Sequence, residues 1–204
     1  RIGECINRSH TFEEILTLTE RMSAAWNRGR DRLQALLLSV PAEPARTREV
    51  GIVCALAIQF ASAANIFRFY YLRQNLYSAA SNESPAKCLS MLEEMKQIVR
   101  AEIRLDGELL ELVAADSALG FHPEAEGFKY YPEKIQWRRQ HLQTMLDHGF
   151  PVMEKALRER RPLFLEFTGQ APQGLTARAA AFNGPPPEGA PSAGAWESAT
   201  FHEI

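Results

Sequence analysis

Ser84-Pro85-Ala-Lys-Cys88-Leu-Ser-Met-Leu92-Glu-Glu-Met95-Lys-Gln-Ile-Val99-Arg-Ala-Glu102-Ile103-Arg-Leu-Asp106-Gly-Glu-Leu-Leu110-Glu-Leu-Val113 decides the fold class. Cys88, Leu92, Met95, Val99, Ile103, Leu110 and Val113 recur close to a heptad, the spacing of a helix packed lengthwise on other helices. Ser84 is a favourable N-cap, and Pro85 stands at the first helical position, where its missing N–H costs nothing. Glu102 and Asp106 interrupt the seam near its edge and are expected at a solvated margin or paired with arginines.

Working outward, the same pattern recurs on both sides. Upstream, Ala45 to about Ala80 contains no proline and a single glycine, which predicts a second long helix. Its first half is apolar nearly all round and is expected to be the most buried of the set. Its second half, Phe67-Arg-Phe-Tyr-Tyr-Leu-Arg-Gln-Asn-Leu-Tyr77, reads as aromatic packing with snorkelling Arg68 and Arg73, a groove lining being the alternative. Before the Pro41-Ala-Glu-Pro44 connection, Thr11-Phe-Glu-Glu14 is a capping box that opens a helix over residues 12–40, with Phe12, Ile15, Leu16, Met22, Trp26, Leu33, Leu36, Leu37 and Val40 making one apolar stripe.

Downstream, Pro132 reopens the helical pattern. Ile135, Arg138, Leu142, Met145, Leu146, Val152, Met153, Ala156 and Leu157 extend a stripe through Gly149 and Pro151, where a kink or break is expected. Short connections between long helices predict a mainly α, up-down bundle of about four long helices over residues 1–161. Residues 162–183, including Leu-Phe-Leu-Glu-Phe167 and Leu175 to Phe182, read as a short extended or β segment. Residues 184–204 read as a Pro/Gly-rich linker running into the start of a truncated following domain, so both ends look like cuts through a longer polypeptide.

Composition narrows the function classes. A 46% hydrophobic chain can fill a core without staples, and 23 basic against 25 acidic residues leave no field to recruit nucleic acid. Cys5, Cys54 and Cys88 are too scattered for a disulfide framework or a zinc site. The apolar run Val50–Ala64 falls short of the roughly 20 residues that cross a bilayer and is read as a buried helix of a soluble domain, with no membrane partner. No phosphate loop, zinc-protease helix or nucleophile elbow is present, and no cofactor is expected. Trp26 and Trp137 fall in helical stretches and are read as core packing rather than sugar stacking. The compartment is left open.

One segment concentrates ionisable and aromatic side chains, Asp116-Ser-Ala-Leu-Gly-Phe-His-Pro-Glu-Ala-Glu-Gly-Phe-Lys-Tyr-Tyr131, and it lies between two helices, where rigid scaffolds present function. Asp116, His122, Glu124 and Glu126 are chemically suited to a metal but match no strong ligand spacing. Glu124 and Glu126 could act as acid and base, although two carboxylates on the same side of an extended chain stand closer than an inverting pair needs. A structural reading has Asp116 and Ser117 capping the preceding helix while Phe121, Phe128, Tyr130 and Tyr131 pin the segment to the bundle. The candidate contact residues for a ligand or another domain are Asp116, His122, Glu124, Glu126 and Tyr130, with no catalytic residue and no metal assigned.

Ala115-Asp-Ser-Ala-Leu-Gly-Phe-His-Pro-Glu-Ala-Glu-Gly-Phe-Lys-Tyr130 and the following Pro132-Glu-Lys-Ile-Gln-Trp-Arg138 resemble the helical region that follows the catalytic barrel of large bacterial proteins assigned as glycoside hydrolases. Ala118 departs from that pattern, which has an arginine there, so no ion-pair role carries over to it. Ala195-Trp-Glu-Ser-Ala-Thr-Phe201 looks like the opening strand of a β-sandwich carbohydrate-binding module. The resemblance implies a parent acting on glycans, with catalytic carboxylates in an upstream β/α barrel and this piece buttressing it. The expected function is a non-catalytic helical accessory domain whose partners are other domains of the same polypeptide, a glycan or a second copy. The rival is a helical interaction or dimerisation module.

Overall fold

A capping box starts the first helix, α1 (Phe12–Leu37), as its sequence predicts: Thr11 Oγ1 accepts from Glu14 N–H at 3.2 Å, and the Glu14 carboxylate accepts from Thr11 N–H at 2.8 Å. Proline and an extended Glu43 begin α2 (Pro44–Ala79), and Ser84 caps α3 (Pro85–Ala115) through Lys87 N–H. The computed structural model describes residues 10–41, 43–80, 84–120, 130–161 and 163. A 3-10 turn, Ser117–Gly120, follows α3, and the fourth helical segment comes in two pieces, α4 (Pro132–Thr144) and α5 (Phe150–Arg158). The described residues contain no strand, and the expected extended segment 162–183 and the linker 184–204 lie outside them apart from Leu163.

Cross-helix contacts fix the directions. Phe12 stacks on Tyr71, centroids 5.8 Å apart, while Gln34 at the other end of α1 reaches Cys54, so α1 and α2 run antiparallel. Arg68 meets Glu94 and Asn65 meets Glu102, making α2 and α3 antiparallel, and Arg138–Asp106 and Lys96–Glu154 do the same for α3 against α4 and α5. The up-down bundle therefore holds. Among the described residues it is open, however: α1 packs on α2, α2 on α1 and α3, and α3 on α2, α4 and α5, with no substantial α1–α4 packing to close the ring.

This arrangement corrects the expectation that the apolar first half of α2 is the most buried. The central helix is α3, because it packs against three helices, α2 on one side and α4 and α5 on the other. Its seam feeds two apolar clusters. One joins Leu72 and Leu76 to Leu92, Met95, Val99, Phe150 and Leu157; the other joins Ala55 and Ile58 to Leu109, Val113, Leu119 and Ile135. The aromatic half of α2 packs as expected up to Tyr71, with Phe12 on Phe67 and Tyr71, Arg68 reaching Glu94 at 2.6 Å, and Arg73 5.9 Å above Tyr70, whereas Tyr77 at its end is 64% exposed. Trp26 is partly buried, donating to the Val53 carbonyl at 3.0 Å and meeting Phe60 edge-on. Trp137 contradicts its core reading: it is 42% exposed, its ring 4.1 Å from His141, because it lies off the side of α4 by which Ile135 and Arg138 meet α3.

The kink expected at Gly149 and Pro151 is a π turn, Met145–Gly149. Proline lacks an N–H and its ring crowds the carbonyl four residues back, so the helix widens there and Phe150 N–H bonds to the Met145 carbonyl. The widened turn delivers Phe150, 2% exposed, into the first cluster.

Gly51 marks the tightest approach of α2 to the 3-10 turn. A Cβ there would stand 3.1 Å from Leu119 Cδ1, so Gly51→Val is expected to lose about 1–3 kcal/mol through overpacking. A lowered urea midpoint checks this; an unchanged one would show that Leu119 yields.

Candidate functional site

The segment singled out in the sequence is anchored at its base. Asp116 ends α3 in an extended conformation, with its N–H on the Leu112 carbonyl at 2.9 Å and its Oδ1 accepting from Ala118 N–H at 3.0 Å. That is the capping role expected of it, since a short carboxylate bonds the backbone two residues on. Leu119 and Gly120 are buried, and Tyr130 N–H donates to the Gly120 carbonyl at 2.8 Å, forming a neck packed against Leu109, Val113 and Ile135. Asp116 and Tyr130 are thus both parts of this neck. His122, Glu124 and Glu126 lie outside the described residues.

The densest polar chemistry among the described residues lies elsewhere, between the two apolar clusters. Glu102 and Asp106, one turn apart on α3, are 4% and 2% exposed, which overturns the solvated-margin reading and keeps the arginine-paired one. Arg138 of α4 places Nη2 on Glu102 Oε2 and Nη1 on Asp106 Oδ1, bridging both acids with one planar guanidinium. From α2, Ser62 Oγ donates to Glu102 Oε2 at 2.7 Å and Asn65 Nδ2 to Glu102 Oε1 at 2.7 Å. Three helices meet at one carboxylate.

The two acids are not equivalent. Glu102 is fully engaged by donors, whereas Asp106 Oδ2 is buried without a hydrogen-bond partner among the described residues, as is Arg139 Nε nearby. Gly107 lies beneath Arg139, a Cβ there falling 3.9 Å from Arg139 Nη2. Burial pushes the Asp106 carboxyl up to about 6; Arg138 opposes the shift, and the Glu102 charge reinforces it. Burial works against the Arg138 charge as well, but Glu102 and Asp106 outweigh it and hold the guanidinium more basic than usual.

Chemically, both Glu102 oxygens are occupied by donors from neighbouring helices, and Asp106, with its carboxyl at about 6, is mostly ionised at neutral pH and has no exposed edge from which to exchange a proton with a substrate. The arrangement fastens helices. Among the described residues no three His, Cys, Asp or Glu side chains gather to hold a metal. The sequence carries a signal for this cluster: two acids four residues apart inside an apolar seam, and an arginine inside the apolar stripe of another helix. Those opposite charges at inward positions complete each other across 32 and 36 residues of chain. No protein family, curated protein or solved structure matches the chain.

Proposed function

We propose that this chain is a non-catalytic helical accessory domain of a larger carbohydrate-active protein, presenting residues 116–131 to a catalytic barrel or to its glycan. The observation that carries the non-catalytic reading is the closed ion cluster: the buried acids are consumed in bonding α2, α3 and α4 together, beyond the reach of a substrate. Arg138, the cation of that cluster, is also the last residue of the segment resembling the post-barrel helical region, so the fastening and the resemblance coincide. The neck at Gly120 and Tyr130 gives the presented segment a rigid base. Trp137, open on α4, offers an aromatic face of the kind sugars stack on.

Two measurements test this. The chain alone is expected to turn over none of a panel of aryl glycosides, and hydrolysis abolished by Glu124→Gln or Glu126→Gln would reverse the non-catalytic reading. The flanking reading frame is expected to encode a β/α barrel upstream; start and stop codons directly bracketing residues 1 and 204 would end the accessory-domain reading.

A further inference from the structure

The most apolar helix is far from fully buried. Over its richest 18 residues α2 is long and apolar enough to cross a membrane, yet 22% of that stretch is buried. The Val50–Ala64 run lies within a longer helix, and it is that longer helix, by length and composition alone, that meets the measure. The lines by which α2 meets its neighbours are settled by contacts: Val53, Phe60, Phe67 and Tyr71 toward α1, and Ala55, Ile58, Ser62 and Asn65 toward α3. A third line, Ile52, Leu56, Gln59, Ala63, Ile66 and Tyr70, continues through Arg73 to Tyr77 at spacings of four and three. At 3.6 residues per turn it lies roughly 100° from each contact line. Ile52, Ile66 and Tyr77 are 51%, 43% and 64% exposed, and no described helix packs along this line.

Helix α1 repeats the pattern. Its contact line toward α2 runs through Phe12, Leu16, Ser23 and Trp26, and one residue earlier at each step lies a second line, Ile15, Leu18, Met22, Ala25 and Gly29. Leu18 is 51% exposed and Met22 40%. Glu20 facing Arg68, and Gln34 facing Cys54, occupy the opposite side of the α1–α2 contact. Both open lines therefore fall on one side and form a single strip with no acid on it. Helix α1, 26 residues long, extends about 39 Å at 1.5 Å per residue, and two helices span roughly 20 Å, so the strip covers about 800 Å², the share one partner contributes to a standard stable interface.

We propose that this strip is a homodimer interface, in which two chains pack α2 against α2 antiparallel about a two-fold axis between Ala63 and Ile66. The self-complementarity favours a second copy. Such an axis sets Ala63 against Ile66 of the partner subunit, so that at the centre a small side chain receives a large one, as holes receive knobs. One step outward, Gln59 meets Tyr70 of the partner subunit, an amide within reach of a phenol. Beyond these, Leu56 meets the aliphatic stem of Arg73 of the partner subunit, and Ile52 meets Tyr77 of the partner subunit. The pairing grows more polar away from the middle, as protein interfaces do. Two α1–α2 hairpins face to face then supply the four-helix layer that the described helices of one chain leave open. Gln59 and Arg73 on the strip, and Arg32 beside it, suit a protein surface better than a bilayer interior. The proposal stands whether or not the domain serves a carbohydrate-active parent.

Sedimentation and light scattering of the full 204-residue chain test it. A mass twice that of the chain is expected at tens of micromolar. Ile66→Lys and Ile66→Glu should each keep the helical circular dichroism while weakening dimerisation at least about 100-fold. Mixed in equal amounts, the two variants should recover the dimer, because position 66 lies within one turn of its counterpart across the axis. Glu111→Lys, exposed on α3, should leave it intact. A monomeric wild-type chain, a dimer indifferent to both Ile66 variants, or a mixture that stays monomeric overturns the proposal. So does a monomer that binds phosphatidylcholine vesicles through Ile66, which would make the strip a lipid-facing one.

Discussion

Arg138→Ala is expected to lower the unfolding free energy at neutral pH by about 3–5 kcal/mol, the cost of leaving buried carboxylates without their cation. Arg138 is the single positive charge bonded to both Glu102 and Asp106, and those acids are too deeply placed to recover water when it goes. Arg138→Lys should recover part of the loss, since one ammonium cannot span the two oxygens that a planar guanidinium bridges. The diagnostic variant is the triple replacement Arg138→Leu, Glu102→Gln, Asp106→Asn, which removes all three charges and is expected to fall much closer to wild type than Arg138→Ala. Urea denaturation of each protein supplies the comparison. If the triple variant is as unstable as the single one, packing of the arginine stem rather than uncompensated charge holds the site together.

The second large effect concerns acidity. Asp106 has its folded-state carboxyl value raised from 3.8 to about 6, chiefly by burial. Between those values the native chain binds more protons than the unfolded one, so stability contributed by this group is present at the acidic end and is lost as pH rises through about 6. The difference corresponds to about 3 kcal/mol in full. Wild-type protein should therefore lose stability between about pH 4 and pH 7 beyond what Asp106→Asn loses, and the variant should be the more stable of the two at pH 7–8. Thermal midpoints across that range decide it, and parallel curves would mean that Asp106 keeps an ordinary carboxyl. The two predictions are linked: protonating Asp106 removes one of the charges stranded by Arg138→Ala, so that variant should lose less at about pH 5 than at pH 7.

The helices are legible in the sequence because their signals are local. Thr11 with Glu14, Ser84 with Pro85 and the proline at 132 mark starts within a few residues of one another in sequence, and the observed helices begin there. The ion cluster is not legible in the same way, because inward charge at Glu102 or Asp106 makes sense only once Arg138 is known to face it from another helix. The burial of α2 escapes the sequence for a related reason. An all-round apolar surface tells how much a helix can bury, whereas the number of described helices that reach it depends on how the ring closes, and here α1 and α4 do not pack substantially against each other. At the candidate segment, Asp116 behaves as a short carboxylate next to free N–H groups does, and Tyr130 follows from aromatic packing. The chemistry of His122, Glu124 and Glu126 depends on long-range company that spacing cannot supply.

The widened turn at Met145–Gly149 has a further consequence for how this sequence can change. It absorbs one residue more than a regular turn, so the apolar positions before and after it are out of phase by one step. Deleting one residue within it would leave Phe150 bonded to the Met145 carbonyl as an ordinary four-residue helical step, so the stretch would become regular helix with everything beyond it still in place. Phe150, Ala156 and Leu157 would stay buried and Lys96 would keep Glu154, whereas deleting a residue from the regular helix on either side would turn them by about 100°. Length is therefore tolerant at this turn and constrained before and after it.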